Sequence, residues 1–181
     1  MGYEPAAFEA HPELGDVLGQ LEDQGLELVP VALPREIPTE PLMLVLRAEA
    51  ASAFDELTRD GRDDELVEQG PGAWPNTFRA ARLIPAVEYV RADRLRRRLM
   101  RQMHDALVDV DLYVHPPFGE DSLSITNLTG HPTVVAPAGF REDGTPFSVC
   151  FTGKPYDEAR LLAVARAWQR STEHHLRHPD L

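Results

Sequence analysis

Residues 122–169 read SLSITNLTGHPTVVAPAGFREDGTPFSVCFTGKPYDEARLLAVARAWQ, and the punctuation of this stretch decides the fold class. The β-branched run at 133–136 favours a strand. VAPAGF is its exit, and Pro137 is expected to end it because proline donates nothing to a ladder. Residues 141–146 carry the Gly144 turn signal, and FSVCFT at 147–152 returns as the second strand of a hairpin. Asp157 stands where a helix cap belongs, before a helix expected to reach about Glu173. Leu161, Ala165, Trp168 and Thr172 share one face of it. Residues 118–130 have no clear period and read as an irregular stretch.

The same beat runs outward. Residues 3–5 read as the end of a strand. Residues 12–24 form a helix with Leu14, Val17, Leu18 and Leu21 on one face and Gly25 as its stop. Residues 26–33 then read as a strand. Thr39 is the expected cap of a second helix running to about Thr58 through Leu42, Leu46, Ala50 and Phe54. Residues 59–74 read as a loop with one helical turn. Pro85 opens a third helix to about Val108 with Ala92, Leu95, Leu99, Met103 and Ala106 as its apolar stripe. A short strand at 112–115 stops at Pro116. Helices and strands alternating in this order make an α/β fold, a β-sheet flanked by α-helices. The tail, 174–181, is polar.

Composition narrows the function. A chain of 181 residues with 43% hydrophobic and 27% charged residues has the balance of one globular domain. No apolar run is long enough for a membrane span, and the N-terminus lacks the pattern of a secretory signal. A cytoplasmic setting is expected. The net charge of −12 argues against nucleic acid as a partner. Cys150 is the only cysteine, so an internal disulfide is excluded, and it reads as a small buried hydrophobe. Lys154 is the only lysine.

No residue constellation declares a chemistry by itself. Arg91, Arg94, Arg98 and Arg101 share a helical face, which reads as solvated surface rather than an anion site. His174 and His178 are four apart but lack a third ligand, so no metal is expected. Ser122 and Ser124 lie near His115 and Asp121, but neither sits in a nucleophile elbow. No dinucleotide or phosphate-loop motif occurs, and no cofactor is expected.

The residues do fit a family pattern. Thr126, Asn127, Gly130 and Pro132 form a T-N-x-x-G-x-P element. Pro137, Gly144, Pro146 and Gly153 follow at strand ends and turns, and Asp157, Glu158, Leu161, Leu162 and Ala165 form D-E-x-x-L-L-x-x-A. Upstream, Glu49 and Ala50 lie in A-E-A-A, Tyr89, Ala92 and Arg96 in Y-x-x-A-x-x-x-R, and Asp111 and Pro116 in D-x-x-x-x-P. The opening MGY fits a V-G-Y strand. Together these resemble the C-terminal portion of the amidase signature enzymes across essentially the whole chain.

That resemblance implies part of one α/β domain, residues 1–181, with a mixed β-sheet and outer helices. It implies hydrolysis of a small carboxylic amide by a serine nucleophile, a second serine in a cis peptide and a lysine base. Those residues belong to an N-terminal part with no counterpart among these 181 residues. No Ser-Ser pair occurs, and Lys154 does not match the catalytic lysine's motif, so no catalytic residue is assigned here. The loop 115–127 is the expected pocket wall, with Phe118, Asp121 and Asn127 as substrate-binding candidates. The chain alone is expected to be inactive and to self-associate through an exposed sheet edge. Met1 falls within the expected first strand, so the DNA upstream is expected to encode a lysine followed by a Gly/Ser-rich stretch. The rival reading is a non-catalytic folding or interaction module derived from an amidase.

Overall fold

The computed structural model describes residues 1–119 and 121–179. Positions 180 and 181 of the polar tail lie outside the described residues. The chain divides into two compact units, one built from Met1–Arg35 and the chain from Leu99 onward, the other from Glu36–Arg98.

The first unit is built on a five-stranded mixed sheet. Its strands are β1 (Gly2–Tyr3), β2 (Val29–Pro30), β3 (Leu112–His115), β4 (Thr133–Phe140) and β5 (Pro146–Gly153), in the spatial order β2-β1-β3-β5-β4. β1 lies parallel to β2 and β3. β5 is antiparallel to β3, with Val114 opposite Phe151, and antiparallel to β4, with Val135 opposite Cys150. The expected hairpin of the deciding stretch is therefore present.

Successive side chains of a strand point to opposite faces, and this sheet is covered on both. Leu112 and Val114 pack on one side with Phe151, Val149, Trp168 and Leu21. That layer comes from α1 (Pro5–Glu9), α2 (Gly15–Asp23) and α8 (Glu158–Thr172). Tyr113 points the other way into Met103, Leu107 and Ile125, from the end of α6 (Ala86–Ala106) and from α7 (Ser122–Thr129). Gly2 fits the narrow space beside Tyr113, since a Cβ there would lie 2.9 Å from a Val31 methyl.

The second unit holds α3 (Thr39–Ala53), α4 (Asp55–Arg59), α5 (Trp74–Ala81) and the first part of α6. Ala51, Phe78 and Ala81 are its buried cluster, and the Phe54 ring stacks on Phe78 at 5.2 Å. The loop expected at 59–74 is tied down by polar contacts. Arg79 Nε pairs with the buried Asp63 carboxylate at 2.7 Å, and Gln69 Nε2 donates to the Asp63 carbonyl at 2.9 Å.

Several expectations are corrected. The irregular reading of 118–130 fails from Ser122 onward, because Ser122–Thr129 is a helix that ends at Gly130, whose φ of 78° suits the left-handed stop. Strand β4 does not end at Pro137 but runs to Phe140, because a bulge between Pro137 and Gly139 absorbs the missing donor. The strand at 26–33 shrinks to Val29–Pro30, and a helix follows directly at Pro5. Pro38, not Thr39, occupies the cap of α3, and Thr39 is buried as its first residue. The inward stripe of α3 is Leu42, Val45 and Ala51, while Leu46 faces outward. Leu95 is likewise exposed, although Ala92, Leu99 and Met103 are buried as expected.

Candidate functional site

In a sheet of this kind, the carboxyl ends of the parallel strands are where ligand-contacting loops gather. β1 ends at Tyr3, with Glu4 next, and β3 ends at His115, with Pro116 next. Glu4 is buried. One carboxylate oxygen accepts from the Leu33 N–H and from Arg35 Nη2, each at 3.0 Å. This buried charge is therefore paired and hydrogen-bonded, as burial requires. It clamps the end of β1 to the chain leaving β2.

His115 is buried and stacks on Tyr113 with ring centroids 4.8 Å apart. Its Nδ1 lies 2.9 Å from the Pro116 carbonyl, which can only accept, so Nδ1 carries the proton. Nε2 is 2.9 Å from Thr152 Oγ1, which is 2.8 Å from Thr133 Oγ1. In the neutral ring Nε2 accepts from Thr152, and Thr152 accepts from Thr133. Burial holds the imidazole below its ordinary pKa, which keeps this chain of bonds intact. Both ring nitrogens are thus committed to placing the Pro116 loop and bracing β3, β4 and β5.

That commitment leaves His115 with no free nitrogen to serve as base for a neighbouring serine. Ser122 is buried, and its hydroxyl has no hydrogen-bond partner among the described residues. His115, the histidine nearest in sequence to Ser122, has both nitrogens occupied, and Asp121 is exposed. A serine needs a base within hydrogen-bond reach to become a nucleophile. Lys154 lies in the turn after β5 and donates one N–H to the Val108 carbonyl at 3.2 Å. Cys150 is buried, and desolvation pushes its thiol up to about 11, the opposite of an activated thiolate.

The three lining candidates fall on the crossover after β3. Phe118 is 80% exposed and holds a φ of 58°. A bulky side chain in that left-handed region is strained, and such strain gathers at functional loops. Asp121 stands at the start of α7, and Asn127 is exposed on its last turn. Six residues separate them, or roughly 9 Å along a helix. Phe118 and Asp121 therefore share one loop, while Asn127 is set further along the element.

The other sequence candidates resolve into surface. Arg91 pairs with Glu88 at 3.1 Å, Arg97 with Asp93 at 2.8 Å and Arg98 with Glu36 at 3.4 Å, as on a solvated helix. No group of three metal-ligating side chains occurs among the described residues. No described helix is long and apolar enough to cross a membrane. The Glu4–Arg35 pair and the Thr133–Thr152–His115 chain are beyond what the sequence predicts. Their one sequence signal is a polar residue at each strand terminus.

Comparison with known proteins adds the relatives. No family model matches the chain. It is 33% identical, over 199 aligned positions, to the A-subunit of the glutamyl-tRNA(Gln) amidotransferase of Chloroflexus aggregans, covering 89% of this chain and 41% of that protein. It is 26% identical to the amidase of Pseudomonas putida, covering 91% and 40%. Among solved structures, a peptide amidase in complex with the competitive inhibitor chymostatin superposes with a TM-score of 0.78 at 21% identity, covering 99% of this chain and 44% of that one. A bacterial aryl acylamidase superposes with a TM-score of 0.75 at 17% identity, covering 97% and 44%. The chain thus spans about two fifths of the curated relatives it matches, and the structural likeness shows a shared fold.

Proposed function

We propose, from the premise that this chain is a relative of the amidase signature enzymes, that it works as the C-terminal part of an amidase acting on a small carboxylic amide. The observation that carries the reading is the match of nearly the whole chain to about two fifths of amidases and amidotransferase chains. The N-terminal part would supply the paired serines, the lysine base and the backbone amides that hold the oxyanion. Serine would attack the carbonyl carbon, the amine would leave with a proton, and water would then release the acid. This chain would supply one side of the sheet and a wall of the pocket. Phe118, Asp121 and Asn127 are proposed as that wall, supported by their exposure and by the strained Phe118 backbone. A cytoplasmic setting accords with a lone, buried thiol.

Amide hydrolysis by the chain alone and by the chain co-expressed with an N-terminal segment bearing the serine pair and lysine tests the reading. Turnover only in the combination is expected. Turnover by the isolated chain would place the nucleophile within these residues and overturn it.

A further inference from the structure

We infer that the cavity between the end of α6, the end of α7 and the turn after β5 binds a small monocarboxylate anion. The cavity measures about 80 Å³, and its lining includes His104, His131, Lys154, Thr129, Met100 and Leu107. All of these belong to the first compact unit. Binding there would not depend on the amidase reading.

Charge makes the place unusual. The chain carries a net charge of −12, yet its only lysine and two of its seven histidines meet at one cavity. No carboxylate lines it among the described residues. Thr129 Oγ1 gives its single proton to the Ile125 carbonyl at 2.8 Å. His131 Nδ1, 2.8 Å from the same oxygen, must therefore donate to it. The tautomer is fixed, and Nε2 is the atom that gains a proton when the ring charges. Lys154 spends one N–H on the Val108 carbonyl and keeps two.

The groups facing His131 are His104 from α6 and Lys154 from the turn; α7 offers only the Thr129 hydroxyl. Burial and then the neighbouring His104 hold His131 below its ordinary value. A bound anion would offset both effects and stabilise the charged ring. Met100 and Leu107 give the cavity apolar walls, suited to a short alkyl group rather than to a fully hydrated ion. The volume exceeds the roughly 30 Å³ share of one water. It falls well below the several hundred Å³ of a drug-sized site. An acetate-like anion meets both limits.

The test follows the histidine ring signals of the full chain by nitrogen–proton NMR during titration with sodium acetate, against sodium chloride at equal ionic strength. At pH 6 the His131 and His104 signals should shift saturably with acetate and not with chloride. Affinity should fall at least tenfold by pH 8, and Lys154→Met should weaken it about tenfold while keeping a cooperative melt. Should that variant fail to fold, His104→Gln at an exposed position carries the same expectation. The inference is overturned by unsaturable shifts, by unchanged affinity in the folded variant, or by inorganic phosphate binding where acetate does not.

Discussion

Trp168 is fully buried beneath the hairpin, and its indole N–H donates to the Pro137 carbonyl at 3.0 Å. That bond satisfies the oxygen at the β4 bulge, so the residue both fills the core and braces an irregular strand. Trp168→Ala should cost about 3–5 kcal/mol in chemical denaturation. Arg166→Ala, on the exposed side of the same helix, should stay within about 0.5 kcal/mol. His115 makes a pH prediction. The unfolded chain protonates it near the ordinary value, about 6.5, whereas the folded ring resists because it is buried. Its contribution to stability is present above that value and is lost as pH falls through it toward the lower folded value. His131 and His174 titrate in the same direction. The melting temperature should therefore drop between pH 8 and 5.5, and His115→Gln should flatten part of that slope. An unchanged slope would mean that the folded ring charges freely. Phe118 gives a third test. Its side chain is mostly exposed and its backbone left-handed, so Phe118→Gly should shift stability by no more than about 1 kcal/mol.

Helix α3 shows where pattern reading stops. A stripe through Leu46 is a reasonable reading of a helix whose apolar residues nearly surround it. Burial selects Leu42 and Val45 instead. Leu42→Ala should cost about 2–5 kcal/mol, and Leu46→Ala within about 0.5 kcal/mol. Equal losses would show that the face is misassigned. Helix α8 is legible because its apolar residues keep one spacing and its flanks carry Asp157 and the chain reversal at Glu173. Strand β3 is legible for its β-branched and aromatic run before Pro116. Helix α7 escapes the sequence for a physical reason. Ser122, Thr126 and Thr129 are poor helix formers, and their burial within the fold overrides that preference. Thr126 and Thr129 turn their hydroxyls back onto carbonyls of the same helix. Within the site, Phe118 and Asp121 can be placed on a loop from sequence. The pairing of buried Glu4 with Arg35 cannot, because the two residues are 31 positions apart.

The whole molecule presents a sheet with two unpaired edges, β2 and β4, among the described residues. Val135 on β4 is 59% exposed, and unpaired strand edges template association. The proposed split of the sheet between this chain and an N-terminal part leads to a solution prediction. The isolated chain should self-associate or bind a hydrophobic dye strongly, and a monodisperse monomer with a sharp melt and little dye binding would count against it. The proposed chemistry is more specific: this chain would frame an amidase site whose nucleophile comes from elsewhere. The most direct measurement is labelling with a serine-directed fluorophosphonate, read by intact mass and peptide mapping, on the chain alone and on its complex with an N-terminal segment bearing the paired serines. No label is expected on the isolated chain, and one label per complex is expected, confined to the added segment. Stoichiometric label at Ser122 or Ser124 of the chain alone would contradict the proposal.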